Sequence, residues 1–246
     1  MDLALSYIAF LVAYLIGSLS FAVIVSKLMR LPDPRTYGSN NPGATNVLRS
    51  GSKPAAVLTL LLDGLKGYVP TVLVGHYAFE LGLTDPGVAD AVIAFVGVAA
   101  FLGHLFPVFF RFQGGKGVAT AAGALFAYEP LLGALTLVVW LLIAALFRYS
   151  SLASIIAAGL APFFMLLIFD RPIVALATGC MSVLLIWRHW RNIVKLMQGK
   201  ESKLGEKSDD AARGRHQHTK RRLVRHHRSG RLHQDEMNSS STGRRH

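Results

Sequence analysis

The stretch LALSYIAFLVAYLIGSLSFAVIVS, residues 3–26, contains no charged side chain. A helix needs about 20 predominantly apolar residues to cross the hydrocarbon of a bilayer, so this stretch is long enough to span a membrane. It lacks the basic start and the small-residue cleavage site of a secretory signal peptide, and Asp2 precedes it. We therefore interpret residues 3–26 as a retained first transmembrane helix.

Six further apolar blocks follow before residue 188. Hydrophobic residues make up 52% of the 246-residue chain and fall in long blocks, which is typical of a membrane protein. One block is interrupted by the charged stretch DGLKG, and another has about two-thirds of the length of a span. The sequence predicts an all-α integral membrane protein with about seven transmembrane helices, some short or interrupted; five full spans with re-entrant pieces are the alternative. In chain order the six blocks are residues 55–79, 91–110, 118–128, 131–147, 152–169 and 172–187.

The loops between these blocks alternate in charge. Every second loop is basic, and the loops between them are acidic apart from Arg171. Basic loops face the cytosol, so the pattern predicts a periplasmic N-terminus and a cytosolic C-terminus.

The net charge of +12 is concentrated in the C-terminal part of the chain. Residues 1–187 hold ten Lys or Arg and eight Asp or Glu, whereas residues 188–246 hold sixteen and six. We expect a membrane domain at 1–207 and a basic, disordered tail at 208–246 that strengthens contact with the inner leaflet. Binding of nucleic acid or anionic lipid by RGRHQHTKRRLVRHHRSGR, residues 213–231, is an alternative for the tail.

The first basic loop contains YGSNNPGATNVLRSG, residues 37–51, which has no carboxylate. Its glycines and asparagines tolerate positive φ and its proline fixes a turn, so consecutive backbone N–H groups can converge on an anion. Ser39, Thr45 and Asn46 add neutral donors, and Arg49 adds a fork that matches phosphate geometry. A plain surface turn is the alternative, but a connection of this length without an apolar run favours a functional loop.

A second basic loop, FQGGKGVAT at residues 112–120, places three glycines around Lys116 directly before an alanine-rich apolar segment. A glycine-rich turn that opens a helix directs free N–H groups and the positive end of the helix dipole at an anion. The spacing does not fit a Walker A loop, because Phe110 stands where glycine is required and Gly117 where Ser or Thr is required. We expect an anion to be bound by Gly114, Gly115, Lys116 and Gly117; the alternative is an ordinary Gly-Gly turn with an interfacial lysine, which occurs in many membrane proteins.

The interrupted block carries two charges of opposite sign. In LLDGLKGY, residues 61–68, Asp63 and Lys66 would share one face of the helix if it continues through this stretch. Charged residues in an apolar span usually pair or face a cavity. The pattern therefore fits either an internal ion pair or a contact of Lys66 with a ligand.

Two further stretches place polar groups at cytosolic helix ends. In WRHWRN, residues 187–192, His189 and Asn192 share a helical face, where the histidine either acts as a base or only caps or snorkels. In RYSSLAS, residues 148–154, Ser154 either contacts a ligand or belongs to a helix start whose capping needs no further function.

Several reaction types lack their motif. The chain has no His-x4-Asp pair, no G-x-S-x-G elbow, no H-E-x-x-H stretch, no clustered cysteines and no paired acidic motif for Mg²⁺. The single cysteine, Cys180, lies in an apolar block and excludes a disulfide framework. We expect neither a metal ion nor another cofactor. A cationic mouth that opens onto lipid suits a phosphate-bearing polar substrate that meets an acyl-chain substrate.

Together these stretches resemble the bacterial membrane glycerol-3-phosphate acyltransferases that use acyl phosphate as the donor. The resemblance implies a multi-pass protein of the bacterial inner membrane with its active site open to the cytosol. It implies transfer of a fatty acyl group from acyl phosphate to the sn-1 hydroxyl of glycerol 3-phosphate, which gives lysophosphatidic acid. The resembling residues, in order over about residues 8–203, are GSNNPGATNVLR, DGLKG, GHLFPVFFRFQGGKGVAT, RYSSLAS and RHWRNIVKLMQGKE.

The resemblance also implies roles for single positions. Ser39, Arg49, His189 and Asn192 match catalytic residues of the family, and Glu201 matches a residue with a structural role. Arg191 stands where the family often has an acidic residue, which affects a local salt bridge rather than the activity. We expect the substrate phosphates to be bound by Thr45, Asn46, Lys66, Gly114, Gly115, Lys116, Gly117 and Ser154.

The chemistry of an acyl phosphate limits what the protein has to do. It is a mixed anhydride with phosphate as a good leaving group, so no covalent acyl-enzyme is required. Two phosphates must approach each other, and two unit charges about 6 Å apart repel by about 3 kcal/mol at an effective dielectric constant near 20. Arg49, Lys116 and the loop amides are suited to offset this repulsion, and either His189 or the acceptor's own phosphate takes the proton.

The expected partners are glycerol 3-phosphate, fatty acyl phosphate and membrane lipid, without nucleic acid. An association with the enzyme that makes acyl phosphate is left open. The alternative function is an organic-phosphate transporter, which would place its site near the bilayer midplane within repeated halves. No internal repeat is visible in this sequence.

Overall fold

The computed structural model describes residues 3–78, 80 and 82–205. This part of the chain contains ten α-helices, a short 3-10 helix at Val108–Phe110 and no β-strand, which confirms the prediction of an all-α protein. In chain order the helices are α1 (Leu3–Gly17), α2 (Phe21–Leu28), α3 (Ala44–Arg49), α4 (Lys53–His76), α5 (Pro86–Leu105), α6 (Val118–Tyr128), α7 (Pro130–Phe147), α8 (Ser150–Phe169), α9 (Pro172–Arg188) and α10 (Trp190–Met197).

Four of these helices, α4, α5, α7 and α8, are each long and apolar enough to cross a membrane. Two bent pairs pass the same test together: α1 with α2, bent by 42°, and α9 with α10, bent by 57°. The described residues therefore hold four to six spans, and the short α6 makes a seventh apolar segment. Proline in the first turn starts α4, α5, α7 and α9, where its missing N–H has no helical partner to lose.

Helix α4 is continuous over 24 residues, so the predicted interruption at DGLKG is wrong. The two glycines in that stretch let α6 approach closely, because a Cβ added to Gly67 would overlap the backbone of Thr120. Gly123 on α6 meets the backbone of Gly64 in the same way. Small residues at a helix contact are typical of membrane proteins, and here they mark a packing face rather than a break.

Helix α6 is short because it begins inside the bundle. Near its start, Thr120 Oγ1 donates a hydrogen bond to the Asp63 carbonyl at 2.9 Å. Asp63 lies ten residues after Lys53, about 15 Å along α4 at 1.5 Å per residue. The glycine loop that precedes α6 is therefore recessed from the start of α4, and eleven residues bring α6 to the opposite end of the bundle.

Arg171 ties the elements together at that opposite end. Its guanidinium makes two hydrogen bonds to Asp90, at 2.6 and 3.1 Å. It makes two more to Glu129 Oε1 at 2.8 Å and to the Tyr128 carbonyl at 2.9 Å. Arg171, the one basic residue in these otherwise acidic loops, thus joins the start of α5, the α6–α7 turn and the start of α9.

The first span is broken rather than continuous as predicted for residues 3–26. Between α1 and α2, the freed carbonyl of Leu19 accepts a hydrogen bond from Lys66 Nζ at 2.7 Å. The same ammonium lies 2.8 Å from Asp63 Oδ1 and 5.7 Å from the centre of the Phe21 ring. A charged side chain on α4 therefore satisfies a backbone group that the break leaves without a helical partner.

The direction of threading stays a prediction. The boundary predicted at 207/208 and the basic tail lie outside the described residues.

Candidate active site

Asn46 on α3 holds the shape of the loop that precedes it. Its side chain is 2% exposed, and its Oδ1 accepts a hydrogen bond from the Ser39 backbone N–H at 3.0 Å. Its Nδ2 donates to the carbonyls of Pro34 at 2.6 Å and Tyr37 at 3.1 Å. The loop turns at Gly38, whose φ of 60° favours glycine. Asn46 thus shapes the loop with all of its amide hydrogens, and its contact with phosphate stays a prediction.

Arg49 ends α3 beside the same turn. A Cβ on Gly38 would lie 3.2 Å from Arg49 Cδ, so the arginine stem packs directly on the glycine. Its Nη2 donates to Ser202 Oγ at 2.7 Å, and no carboxylate among the described residues pairs with it. The Ser39 hydroxyl likewise forms no hydrogen bond within residues 3–78, 80 and 82–205. Both groups keep polar atoms available for a ligand.

The glycine loop, residues 114–117, has no room for larger residues. A Cβ on Gly114 would overlap backbone carbonyls at the end of α5, and one on Gly115 would overlap the His104 ring. Gly117 has a φ of 82°, in the left-handed region. The Gly115 N–H donates to the His104 carbonyl at 3.1 Å, and the Pro42 carbonyl lies 2.8 Å from the position of a Gly115 Cβ. The first loop therefore lies against the glycine loop, and anion binding by either loop stays a prediction.

Lys116 starts a chain of hydrogen bonds that reaches the segment after α10. Its Nζ donates to Asn192 Oδ1 at 2.6 Å, and Asn192 Nδ2 donates to Glu201 Oε1 at 2.6 Å. Ser151 Oγ donates to the same Glu201 oxygen at 2.7 Å. Glu201 thus joins α8 to α10, and its structural role stays a prediction.

His189 lies in the bend between α9 and α10 and is 2% exposed. Its Nδ1 is 2.8 Å from the Leu185 carbonyl. A carbonyl oxygen can only accept, so Nδ1 carries the proton and Nε2 of the neutral ring has a free lone pair. Nε2 forms no hydrogen bond to a described residue. The ring can therefore take a proton from a ligand hydroxyl. It is next in the chain to Arg188, which binds the glycine loop, and one helical turn before Asn192, which binds Lys116.

Positive charge dominates around Lys116. Burial lowers its pKa from the ordinary value to about 8; Glu201 opposes this shift, and Arg49, Lys195 and Arg188 add to it. Three cations thus lie within electrostatic reach of Lys116 beside a single interacting carboxylate, which favours an anionic ligand.

No group of three or more His, Cys, Asp or Glu residues comes together in the described part of the chain. The absence of a metal or cofactor from the reaction stays a prediction from sequence.

Lys66 does not join this group. It is 3% exposed at the middle of α4, where Asp63 and the Leu19 carbonyl bind its ammonium. The geometry supports the ion-pair alternative, and a contact of Lys66 with substrate stays a prediction.

Thr45 and Ser154 have protein partners of their own. Ser154 Oγ donates to the Ser150 carbonyl at 2.8 Å and accepts from Trp140 Nε1 at 3.0 Å. Thr45 is exposed, with its Oγ1 3.3 Å from Ser150 Oγ. Their predicted contacts with phosphate stay predictions.

Arg188 is a site residue that sequence reasoning missed. Its Nε donates to the Gly115 carbonyl at 3.1 Å and its Nη2 to the Gly114 carbonyl at 2.7 Å. Its position directly before His189 was the one sequence feature that could have pointed to it. Nothing in the sequence pairs Arg188 with the glycine loop, which is more than 70 residues away. Ser202 was missed for the same reason.

Comparison with known proteins shows that the chain is similar to one protein family. A family model described as glycerol-3-phosphate acyltransferase matches residues 7–199. The chain is 57% identical over 207 residues to the glycerol-3-phosphate acyltransferase of Paraburkholderia phymatum, covering 84% of this chain and 96% of that relative. It is 59% identical over 204 residues to the protein of the same description from Paraburkholderia xenovorans, covering 82% and 93%.

Two solved structures are also similar. One is PlsY (YgiH), an integral membrane glycerol 3-phosphate acyltransferase, in its glycerol 3-phosphate form. The TM-score is 0.73 at 39% identity, over 80% of this chain and 94% of that chain. The lysophosphatidic acid form of PlsY gives a TM-score of 0.72 at 38% identity with the same coverage.

Proposed function

Because the chain belongs to the glycerol-3-phosphate acyltransferase family, we propose that it moves a fatty acyl group from acyl phosphate to glycerol 3-phosphate. The sn-1 hydroxyl accepts the acyl group, and the products are lysophosphatidic acid and inorganic phosphate. The glycerol 3-phosphate and lysophosphatidic acid forms of PlsY support this acceptor and this product. The observation that carries the proposal is the convergence of Arg49, Lys116 and the glycine loop beside His189.

The bonds that change are few. The sn-1 hydroxyl oxygen attacks the carbonyl carbon of the acyl phosphate and forms the ester bond. The bond from that carbon to the phosphate oxygen breaks, and phosphate leaves with the electron pair. The hydroxyl proton goes to His189 Nε2 or to a phosphate oxygen. No covalent acyl-enzyme forms, because the leaving group already makes direct attack feasible.

The protein's part is to hold two anions at reacting distance. Arg49 and Lys116 offset the repulsion between the two phosphates, and the amides of the glycine loop add neutral donors. Asn192 fixes the position of the Lys116 ammonium through their 2.6 Å hydrogen bond. These fixed positive groups also favour the charge that develops on the leaving phosphate.

The proposed location is a bacterial inner membrane, with the site facing the cytosol. The cations of the site lie at the end of the bundle opposite Asp90 and Glu129, which supports the orientation predicted from loop charges. The recessed glycine loop is a feature that also fits an organic-phosphate transporter. Uptake of radiolabelled glycerol 3-phosphate into proteoliposomes without formation of a lipid product would favour that alternative.

The decisive experiment is a donor assay on the full chain purified in detergent. We expect acylation of glycerol 3-phosphate with palmitoyl phosphate, in the presence of EDTA and without acyl-CoA. Product is measured as radiolabelled lysophosphatidic acid separated by thin-layer chromatography. Palmitoyl-CoA in place of palmitoyl phosphate serves as the matched control. Activity with palmitoyl-CoA alone, or none with palmitoyl phosphate, overturns the proposed donor.

The pKa of Lys116 predicts an alkaline limit to activity. As the pH rises through about 8, Lys116 loses its proton in the enzyme without bound substrate. The site then lacks one phosphate-binding charge, so kcat/KM falls. Replacing Lys116 by arginine keeps the charge at all accessible pH values. We expect the variant to be less active, because the contact with Asn192 changes, but to lose this alkaline fall. The check is kcat/KM between pH 6.5 and 9.5, and a limb that is identical in both proteins contradicts the assignment to Lys116.

A further inference from the structure

One guanidinium fixes two consecutive peptide groups of the glycine loop. Arg188, half-buried at the end of α9, donates from Nη2 to the Gly114 carbonyl at 2.7 Å and from Nε to the Gly115 carbonyl at 3.1 Å. On the other side, the Gly115 N–H donates to the His104 carbonyl at 3.1 Å. The peptide between Gly114 and Gly115 is therefore held at both its oxygen and its hydrogen.

This arrangement also sets the direction of the next N–H group. In a trans peptide the C=O and N–H bonds point in opposite directions. Because the Gly115 carbonyl points at Arg188, the Lys116 N–H points away from it. Neither the Lys116 nor the Gly117 backbone N–H donates to another described residue. The loop thus presents free donors just before α6 begins, and the Lys116 N–H lies on the side away from the arginine.

We propose that Arg188 is a positioning residue of the reaction: it orients the glycine loop through the Gly114 and Gly115 carbonyls so that the free loop amides face the substrate phosphate. Arg188 acts through the loop and does not itself contact substrate. The inference rests on the proposed function for its kinetic readout, but it concerns phosphate binding, which is measurable without any acyl donor.

The chemistry of the side chain explains why arginine stands there. A guanidinium is a planar fork that carries several donors at fixed angles, so one residue can bind two neighbouring carbonyls. A lysine ammonium has three donors on a freely rotating group, so it cannot hold both carbonyls at the fixed angles of a guanidinium. Glycine at both positions is consistent with this role, because a Cβ on either residue would overlap its neighbours and displace the bound carbonyls.

The test compares Arg188→Gln and Arg188→Lys with Arg191→Gln. Arg191 lies three residues along the chain, is exposed, and makes no hydrogen bond or ion pair within residues 3–78, 80 and 82–205, so its replacement removes a nearby charge without touching the loop. We expect kcat/KM to fall about a hundredfold in Arg188→Gln. Arg188→Lys should retain an intermediate activity, because one carbonyl keeps a charged donor, and Arg191→Gln should stay within about twofold of the unmodified protein.

Two readouts separate positioning from a general structural role. The first is the affinity for inorganic phosphate, measured by isothermal titration calorimetry on the detergent-purified full chain, which should weaken in Arg188→Gln and stay unchanged in Arg191→Gln. The second is the alkaline limb of kcat/KM. It should move to higher pH in Arg188→Gln, because Lys116 loses a cationic neighbour that lowers its pKa.

The outcomes distinguish this inference from the proposed function. Phosphate binding and a kinetic profile in Arg188→Gln that match those of Arg191→Gln overturn the role of Arg188, whatever the donor. Weakened phosphate binding together with inactivity of the unmodified protein on palmitoyl phosphate overturns the proposed donor and leaves the role of Arg188 supported.

Discussion

Replacing Arg49 by alanine should lower kcat/KM for acyl transfer by about a thousandfold while the protein stays folded. Arg49 carries a charge that no described carboxylate offsets, and it lies close enough to Lys116 to lower that lysine's pKa. Without it, one of the two phosphates loses a bidentate donor at the moment when both anions must approach. The loss should appear in both kcat and KM, since the same group binds the substrate and stabilises the leaving charge.

The matched control is Arg111→Ala. Arg111 is exposed, precedes the glycine loop by three residues and forms no ion pair with a described residue. Like Arg49→Ala, the substitution Arg111→Ala removes one positive charge from this end of the bundle. It leaves the site intact, so we expect activity within about twofold of the unmodified protein. The measurement is steady-state kinetics with palmitoyl phosphate, with folding checked by monodispersity and thermal unfolding in detergent. Equal losses in both variants would mean that net charge, not the position of Arg49, controls the rate.

Replacing Gly114 by alanine should reduce activity at least about a hundredfold. The added Cβ would overlap the carbonyls of His104 and Leu105, which are backbone atoms at the end of α5 and cannot swing aside as a flexible side chain can. The loop has to move instead, and the Gly114 carbonyl then leaves Arg188. Phosphate binding by calorimetry should weaken in parallel with kcat/KM.

Gly159→Ala on α8 is the control for this substitution. A Cβ at Gly159 meets no atom within 4 Å, and alanine favours the helix over glycine. We expect unchanged activity and unchanged or slightly higher thermal stability. Full activity of Gly114→Ala would show that the loop has more freedom than these contacts allow.

The hydrophobic blocks were readable from the sequence because membrane spans leave a strong local signal, although the break in the first block was not. The bounds of α6 agree with the predicted block at residues 118–128. The shortness of that block was visible as well, but not the contact of Thr120 with the middle of α4, which places the start of α6 inside the bundle. The continuity of α4 through DGLKG was not visible, because the glycines that suggest a break pack against α6, which is distant in the sequence.

The site was only partly predictable for a related reason. Glycines, asparagines and basic residues near one another in the chain predicted two anion-binding loops, which the fold brings together. The pairing of Arg188 with the glycine loop and the use of Asn46 as a brace within its own loop depend on tertiary contacts. The spacing of residues in the sequence predicts such a contact only when both residues lie in the same helix or loop.

The bond between Lys66 and the Leu19 carbonyl has a consequence for biogenesis. A helix that carries an aspartate and a lysine near its midpoint meets a barrier of about 2.5–3.5 kcal/mol per charged residue when it enters lipid alone. In this fold, the acceptor for the lysine belongs to the span made earlier in synthesis, and the aspartate that neutralises it is three residues away. We therefore expect the broken first span to lower the cost of inserting α4, because the Leu19 carbonyl can accept a hydrogen bond from Lys66 before the later helices are made.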